Sequence, residues 1–231
     1  MAESLKIVNI TGSFQLNKQI DLKAEMLRNN SLRYPLSFRQ KDNLKRLRRD
    51  FEKHFGWSRD MLEQSEIYKL FEEKAMTCSK FKSLLWKLPA LRLSVSIFGN
   101  GRVTFQGAKS VKDIKTAAKF LQVYFNSATV NKTQIVLNNF VASGKLNTHF
   151  PLQDFVLFVK KNHPEIDISY NGELYNGIIW KFSCGKQRAL IYNTGSVIIT
   201  GCRTESELAP LFECVNNVLS SFVASDILKC L

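Results

Sequence analysis

The sequence predicts an α+β fold made of two pseudo-symmetric copies of one unit, each an antiparallel sheet carrying its helices on one face. Three observations predict it. Phe81, Trp86, Lys87, Ile97, Phe98, Gly101, Val103 and Gly107 recur in type, 94 residues on, as Tyr175, Trp180, Lys181, Ile191, Tyr192, Gly195, Val197 and Gly201; an internal repeat sets architecture before any other feature does. Upstream, Asn9, Ser13, Leu16, Asn17, Leu22 and Leu27 recur 130 residues on as Asn139, Ser143, Leu146, Asn147, Leu152 and Leu157. The two offsets differ by 36, which places an insertion in the first copy between about Arg28 and Lys80. Between these landmarks, short runs rich in β-branched and aromatic residues alternate with stretches of helical period. The expected division is therefore 1–130 for the first repeat, with a basic helical insertion at about 29–79, and 131–231 for the second.

In chain order, Leu5–Leu16 reads as a strand and Asp21–Arg28 as a short helix, followed by a loop broken by Asn29, Asn30 and Pro35. Ser37–Phe55 sets Leu44, Leu47, Phe51 and Phe55 at helical spacing behind a run of Lys and Arg, a basic amphipathic helix. Gly56 can stop it, and Ser58 can cap a second helix running toward Ala75. Strands then follow at Phe81–Leu88, Leu91–Phe98 and Val103–Gly107, with a tight turn at Asn100-Gly101, before a helix over Val111–Phe125. The second copy repeats the order: strand Thr133–Ser143, helix Pro151–Asn162, strands near Ile166–Tyr170, Gly177–Ser183, Gln187–Tyr192 and Val197–Gly201, and helix Ser206–Phe222.

A formal charge of +13, from 33 basic and 20 acidic residues, points to a polyanionic partner that would relieve the self-repulsion. Charge alone does not separate DNA, RNA and acidic membrane. No apolar run approaches the roughly 18 residues of a membrane span, and no charged start leads into an apolar signal core, so a soluble intracellular protein is expected. Five cysteines without CxxC spacing suggest neither a disulfide framework nor a zinc site, and no cofactor motif is present. His54, His149 and His163 lie in unrelated segments without a nucleophile or metal-ligand pattern, so no enzymatic activity is expected.

The strings SIFGNGRVTFQGAKS (Ser96–Ser110) and LIYNTGSVIITGCR (Leu190–Arg203), with SYNGELYNGIIWKF (Ser169–Phe182) and LNNFVAS (Leu137–Ser143), resemble the TATA-box-binding protein family. The resemblance covers everything except the insertion and the ends. It implies a saddle of two curved antiparallel sheets with helices on the convex face, and a transcription initiation factor that binds A·T-rich promoter double-stranded DNA in the minor groove. The family is the standard case of minor-groove binding and kinking by aromatic wedges. The wedge positions fall on Phe81 and Phe98 in the first copy and on Tyr175 and Tyr192 in the second. Each Tyr hydroxyl must find a partner or stay wet.

The same resemblance places Asn9 and Asn139 where amides donate to minor-groove acceptors, adenine N3 and thymine O2. Thr200, Val141, Leu190 and Ile198 fall on the DNA-facing side, where Gln106 replaces the family threonine, Thr11 stands opposite Val141, and Ser96 opposite Leu190. The first half of the face is thus more polar, which puts the base preference in question. Lys87, Arg102 and Lys181 fall at phosphate contacts, which position without specifying. Lys109, Lys112, Lys115 and Lys119 add charge on the following helix. Glu173 and Leu174 stand where the family docks a transcription factor IIB-like protein, so that protein and the RNA polymerase machinery are the expected partners, with no membrane. The basic insertion helix either adds a DNA contact or docking face, or is a solvated helix covering apolar surface.

Two other readings remain: a protein-interaction module of this fold that has lost sequence-specific DNA binding, or a substrate-binding domain like those joined to DNA glycosylases and one class of ribonuclease H. The latter needs a catalytic domain for which the repeats leave no room. The lopsided insertion resembles a large DNA virus homologue, so the expected compartment is the nucleus or, alternatively, a cytoplasmic viral factory or virion.

Overall fold

The computed structural model describes residues 5–16, 18–22, 24–25, 76–78, 83–125, 135–183 and 185–227. The two expected insertion helices and Phe81 lie outside them. The chain forms two compact units, Ile10–Val136 and Leu137–Leu231, and the N-terminal residues up to Asn9 group with the second.

In the first unit β1 (Lys6–Gln15), β2 (Met76–Cys78), β3 (Ser83–Leu88), β4 (Leu93–Phe98) and β5 (Arg102–Ala108) form an antiparallel sheet in the order β2-β3-β4-β5-β1, followed by helix α1 (Val111–Tyr124). The second unit repeats this plan. Strand β6 (Val136–Lys145) leads to helix α2 (Leu152–Asn162), then β7 (Asp167–Ser169), β8 (Ile178–Lys181), β9 (Arg188–Ile191) and β10 (Ser196–Cys202), and the chain turns into α3 (Leu208–Ile227). The strand order is β6-β10-β9-β8-β7.

Strand β2 corrects the sequence reading, which assigned Met76–Cys78 to the insertion. It pairs antiparallel with β3 and sets Met76 opposite Trp86, as β7 sets Ile168 opposite Trp180. Three residues are too few for a two-residue period to stand out after a long helical pattern. Two further boundaries move for local reasons. Pro89–Leu91 is a 3-10 turn closed by Arg92 at φ 51, so β4 starts at Leu93 and not Leu91. Helix α3 begins after a separate 3-10 turn at Glu205–Glu207 and runs on to Ile227, beyond Phe222.

Every long strand alternates between a covered and an open side, as the two-residue period requires. In β4 Leu93, Val95 and Ile97 are buried while Ser94, Ser96 and Phe98 are half-buried. The covered side of the first sheet meets Ile114, Ala117, Ala118 and Leu121 of α1, the apolar stripe of a helix started by the Ser110 hydroxyl, which accepts the Asp113 N–H at 3.1 Å. Trp86 meets Phe120 and Tyr124 edge-on at 5.2 and 4.9 Å. In the second unit Phe155 and Phe222 meet at 5.4 Å, with Phe150 5.3 Å from Phe155.

Turn chemistry repeats with the sheet. Gly101 and Gly195 sit at φ 82 and 78, each donating its N–H to the aromatic three residues back, Phe98 and Tyr192, at 2.9 Å. A Cβ on Gly195 would lie 2.1 Å from the Leu146 carbonyl oxygen, and one on Gly101 2.2 Å from that of Lys18. Only glycine fits both the conformation and the approach.

Gly195→Ala should lower stability by about 2 to 4 kcal/mol in urea unfolding, through strain plus displacement of the β9–β10 turn from the segment after β6. Gly99→Ala, where a Cβ would sit 3.5 Å from the Ile20 carbonyl oxygen, should change it by less than about 1 kcal/mol.

Candidate nucleic-acid interface

The open side of each sheet is built from the alternate residues that the helices leave uncovered, and strand register aligns them into rows. In the first unit one row crosses Leu85, Ser96, Thr104 and Ser13, and a second crosses Lys87, Ser94 and Gln106. In the second unit the matching rows are Ile179, Leu190, Ile198 and Ser143, and Lys181, Arg188 and Thr200. All of these side chains are half-buried or exposed. Val141 and Asn139 share the same side of β6, and Asn9 and Thr11 the corresponding side of β1, all half-buried.

Phe98 ends β4 half-buried, one residue before the Gly99–Gly101 turn. Tyr192 follows β9 at the equivalent turn, and Tyr175 approaches it from the loop before β8. Their rings lie 6.1 Å apart at 59°, and the two hydroxyls are hydrogen-bonded to each other. Each phenol thus finds its partner in the other. Gly177 makes the approach possible, since a Cβ there would lie 2.9 Å from the Tyr175 ring and 3.2 Å from that of Tyr192. Partial burial first, then the hydrogen bond and charge coupling to Tyr192, push the Tyr175 phenol up to about 12.

Asn139 does structural work as well. Its Oδ1 accepts the Gly201 N–H at 2.8 Å and its Nδ2 donates to Thr200 Oγ1 at 3.3 Å. Gly201, at φ 88, lies where the β10–β6 register shifts between Ile199 and Cys202, so the carboxamide fills the hydrogen-bonding gap of a β-bulge. One Nδ2 proton remains for a further acceptor on the open side.

Cations border the rows. Lys87 and Arg102 are exposed, and the Arg102 N–H is held by Asn100 Oδ1 at 3.0 Å. Lys181 is ion-paired with Asp167 at 3.2 Å, an exposed pair of small net worth that a phosphate could replace. Arg188 donates to the Gln187 carbonyl at 2.7 Å. Sequence reading missed Arg188, Ser94, Thr104 and Ile179, although each lies two residues along a strand from a residue it had named. Lys109, Lys112, Lys115 and Lys119 are exposed around α1, on the side of the sheet away from the rows, and do not join this face. Glu173 and Leu174 stand out on a separate turn, where Asn171 Oδ1 accepts the Glu173 N–H at 3.1 Å and Leu174 is 84% exposed.

Fold and face together define a two-copy sheet protein with an open, cation-bordered, aromatic-tipped surface in each copy. A model of the family described as Transcription factor TFIID (or TATA-binding protein, TBP) matches residues 62–125 and 134–222, more than half of the chain. The chain belongs to this family. It is 27% identical over 160 residues to the TATA-box-binding protein of Pyrobaculum islandicum, covering 67% of this chain and 77% of that one. It is 29% identical over 145 residues to TATA box-binding protein-like 2 of Mus musculus, covering 62% and 40%. Among solved structures, Methanococcus jannaschii TBP superposes with a TM-score of 0.61 at 20% identity, covering 94% of this chain and 99% of that one, so the fold is the family's. Membership and fold support a TATA-binding transcription factor.

Because the Tyr175 value is raised in the folded state, the pair's contribution to stability is complete below the ordinary tyrosine value of 10 and is lost as pH rises through about 12. Tyrosinate absorbance should show a late titration near 12 that is missing in Tyr175→Phe and moves down in Tyr192→Phe. Titration of Tyr175 with the ordinary tyrosines would mean that the hydroxyls are not paired.

Proposed function

We propose that the open rows lie in the minor groove of promoter DNA, that aromatic tips bend the duplex, and that the bent complex recruits RNA polymerase machinery. The observation that carries this reading is the covered-versus-open alternation of both sheets, which leaves each unit a half-apolar face, bordered by Lys87 and Arg102 in the first and by Lys181 and Arg188 in the second, on a chain of net charge +13. A shallow groove of low polarity flanked by phosphates is its chemical complement. Phe98, Tyr175 and Tyr192, with Phe81, are the proposed wedges. Unstacking a base step costs a few kcal/mol, which a larger wrapped surface offsets. Asn139 and Asn9 would donate to adenine N3 or thymine O2, and Thr200, Val141, Leu190, Ile198 and Gln106 would line the floor.

Exposed Leu174 and Glu173 sit on a turn apart from these rows, where a transcription factor IIB-like protein could dock while DNA is held. An apolar knob beside an acid suits a partner offering an apolar pocket rimmed by a cation.

End-to-end fluorescence energy transfer on an A·T-rich duplex tests the reading. Transfer should rise on titration with protein and rise far less on a G·C-rich control. Phe98→Ala should keep most of the affinity, which is electrostatic, and lose much of the bend. Binding without bending would reduce the protein to an electrostatic binder, and no binding would favour the protein-interaction reading.

Asn139→Asp separates the two roles of that side chain. The carboxylate can still accept the Gly201 N–H, so stability should change by about 1 kcal/mol or less. It cannot donate to a base and repels phosphate, so DNA affinity should fall by about tenfold or more. Equal losses in stability and affinity would make Asn139 a bulge residue only.

A further inference from the structure

The two open faces share one strand plan and differ in the chemistry of their central rows. Across the first unit the central row reads Leu85, Ser96, Thr104, Ser13, one aliphatic residue and three hydroxyls. The same row of the second unit reads Ile179, Leu190, Ile198, Ser143, three aliphatic residues and one hydroxyl. Ser94 and Gln106 extend the polar character on the first unit's next row, opposite each other in register. In β4, β5, β9 and β10 these side chains are half-buried, apart from Gln106, which is exposed, so they form the surface that a ligand on the face would meet.

In the minor groove every base pair offers acceptors, but only G·C adds a donor, the guanine 2-amino group. An aliphatic row covers A·T edges without loss and leaves a guanine amino group desolvated and unpaired, which is the costly case. A hydroxyl or carboxamide both donates and accepts, so it serves adenine N3, thymine O2 or the guanine amino group alike. Resting on the proposed minor-groove mode, we infer that the Ile10–Val136 face tolerates G·C pairs while the Leu137–Leu231 face requires A·T, so that the preferred DNA element is chemically lopsided. Ser96 and Thr104 set the tolerance, and Gln106 adds to it.

Anisotropy titrations with short duplexes test this. One duplex is all A·T, one carries G·C pairs in the left half, one in the right half and one in both. Each G·C duplex has a twin with inosine for guanine, which removes only the 2-amino group. Because the protein can dock in either direction, left-only and right-only duplexes should each bind within a few-fold of all A·T. The duplex with G·C in both halves should bind more weakly by roughly 5- to 150-fold per disfavoured pair, and its inosine twin should recover.

The double variant Ser96→Leu, Thr104→Ile copies the second face onto the first. It should lower the affinity ratio of each one-half guanine duplex to its inosine twin by about tenfold. Gln106→Leu, which removes one further acceptor, should move that ratio in the same direction by less. The inference is overturned if one-half guanine duplexes are already as weak as the two-half duplex. It is equally overturned if the two-half duplex is not weaker, if inosine restores nothing, or if the variants leave the ratio unmoved. Tight binding to all A·T in any of those outcomes keeps the minor-groove reading, whereas binding to no duplex removes both.

Discussion

Among the described residues, helices cover one side only of each sheet, and the two-residue period of a strand converts that single constraint into everything else. Once Leu93, Val95 and Ile97 are committed to the side that α1 covers, Ser94, Ser96 and Phe98 have no choice of direction. Interior packing and the DNA-binding chemistry proposed here are therefore two readings of one alternating string. A one-residue slip in register would expose the core and bury the open rows together. The glycine turns at Gly101 and Gly195 guard against such a slip, since each fixes a hairpin and receives the N–H of Leu16 or Leu146 on its carbonyl.

Pseudo-symmetry holds for the backbone more strictly than for the filling. Phe14 of β1 stacks on Phe105 at 5.5 Å and 9° in the first core. Its counterpart in the second unit is Gly144, where a Cβ would come within 2.5 Å of the Phe212 ring from α3. An aromatic occupies the space under the sheet in both units, supplied by the strand in one and by the helix in the other. Close packing requires the volume and not the residue that brings it. This freedom explains how the copies diverged in sequence while both retained a bulge with a glycine at φ 88, Gly107 and Gly201.

The repeat was legible because it rests on residues that backbone geometry dictates: glycines at positive φ, a Trp beneath each sheet and aromatics beside each turn. Strand and helix identities followed from period alone. Edge strand β2 was not legible, being shorter than one full alternation, and the start of β4 was displaced by a turn that Pro89 begins. Within the face, residues shared with the family were found, and Ser94, Thr104 and Arg188 were not, because a departure from a pattern is visible only once register shows which side it faces. Pairings were hidden too. Nothing in the spacing of Asn139 and Gly201, or of Lys181 and Asp167, marks them as partners.

The Tyr175 and Tyr192 pair shows how a polar atom can stand at a wedge position. Separately inserted between bases, each hydroxyl would enter an apolar environment without a partner, at about 1 to 3 kcal/mol apiece. That would cancel the roughly 1 to 3 kcal/mol that stacking on a base returns. Joined tip to tip, the hydroxyls share one hydrogen bond, which leaves one O–H donor to satisfy instead of two, and the two rings already stand 6.1 Å apart. Phe98 has no hydroxyl to satisfy. Under the proposed mode the first half therefore inserts like an ordinary phenylalanine wedge, while the second inserts only if the pair stays closed. Gly177, whose missing side chain lets the rings meet, is then as much a part of the wedge as the tyrosines are.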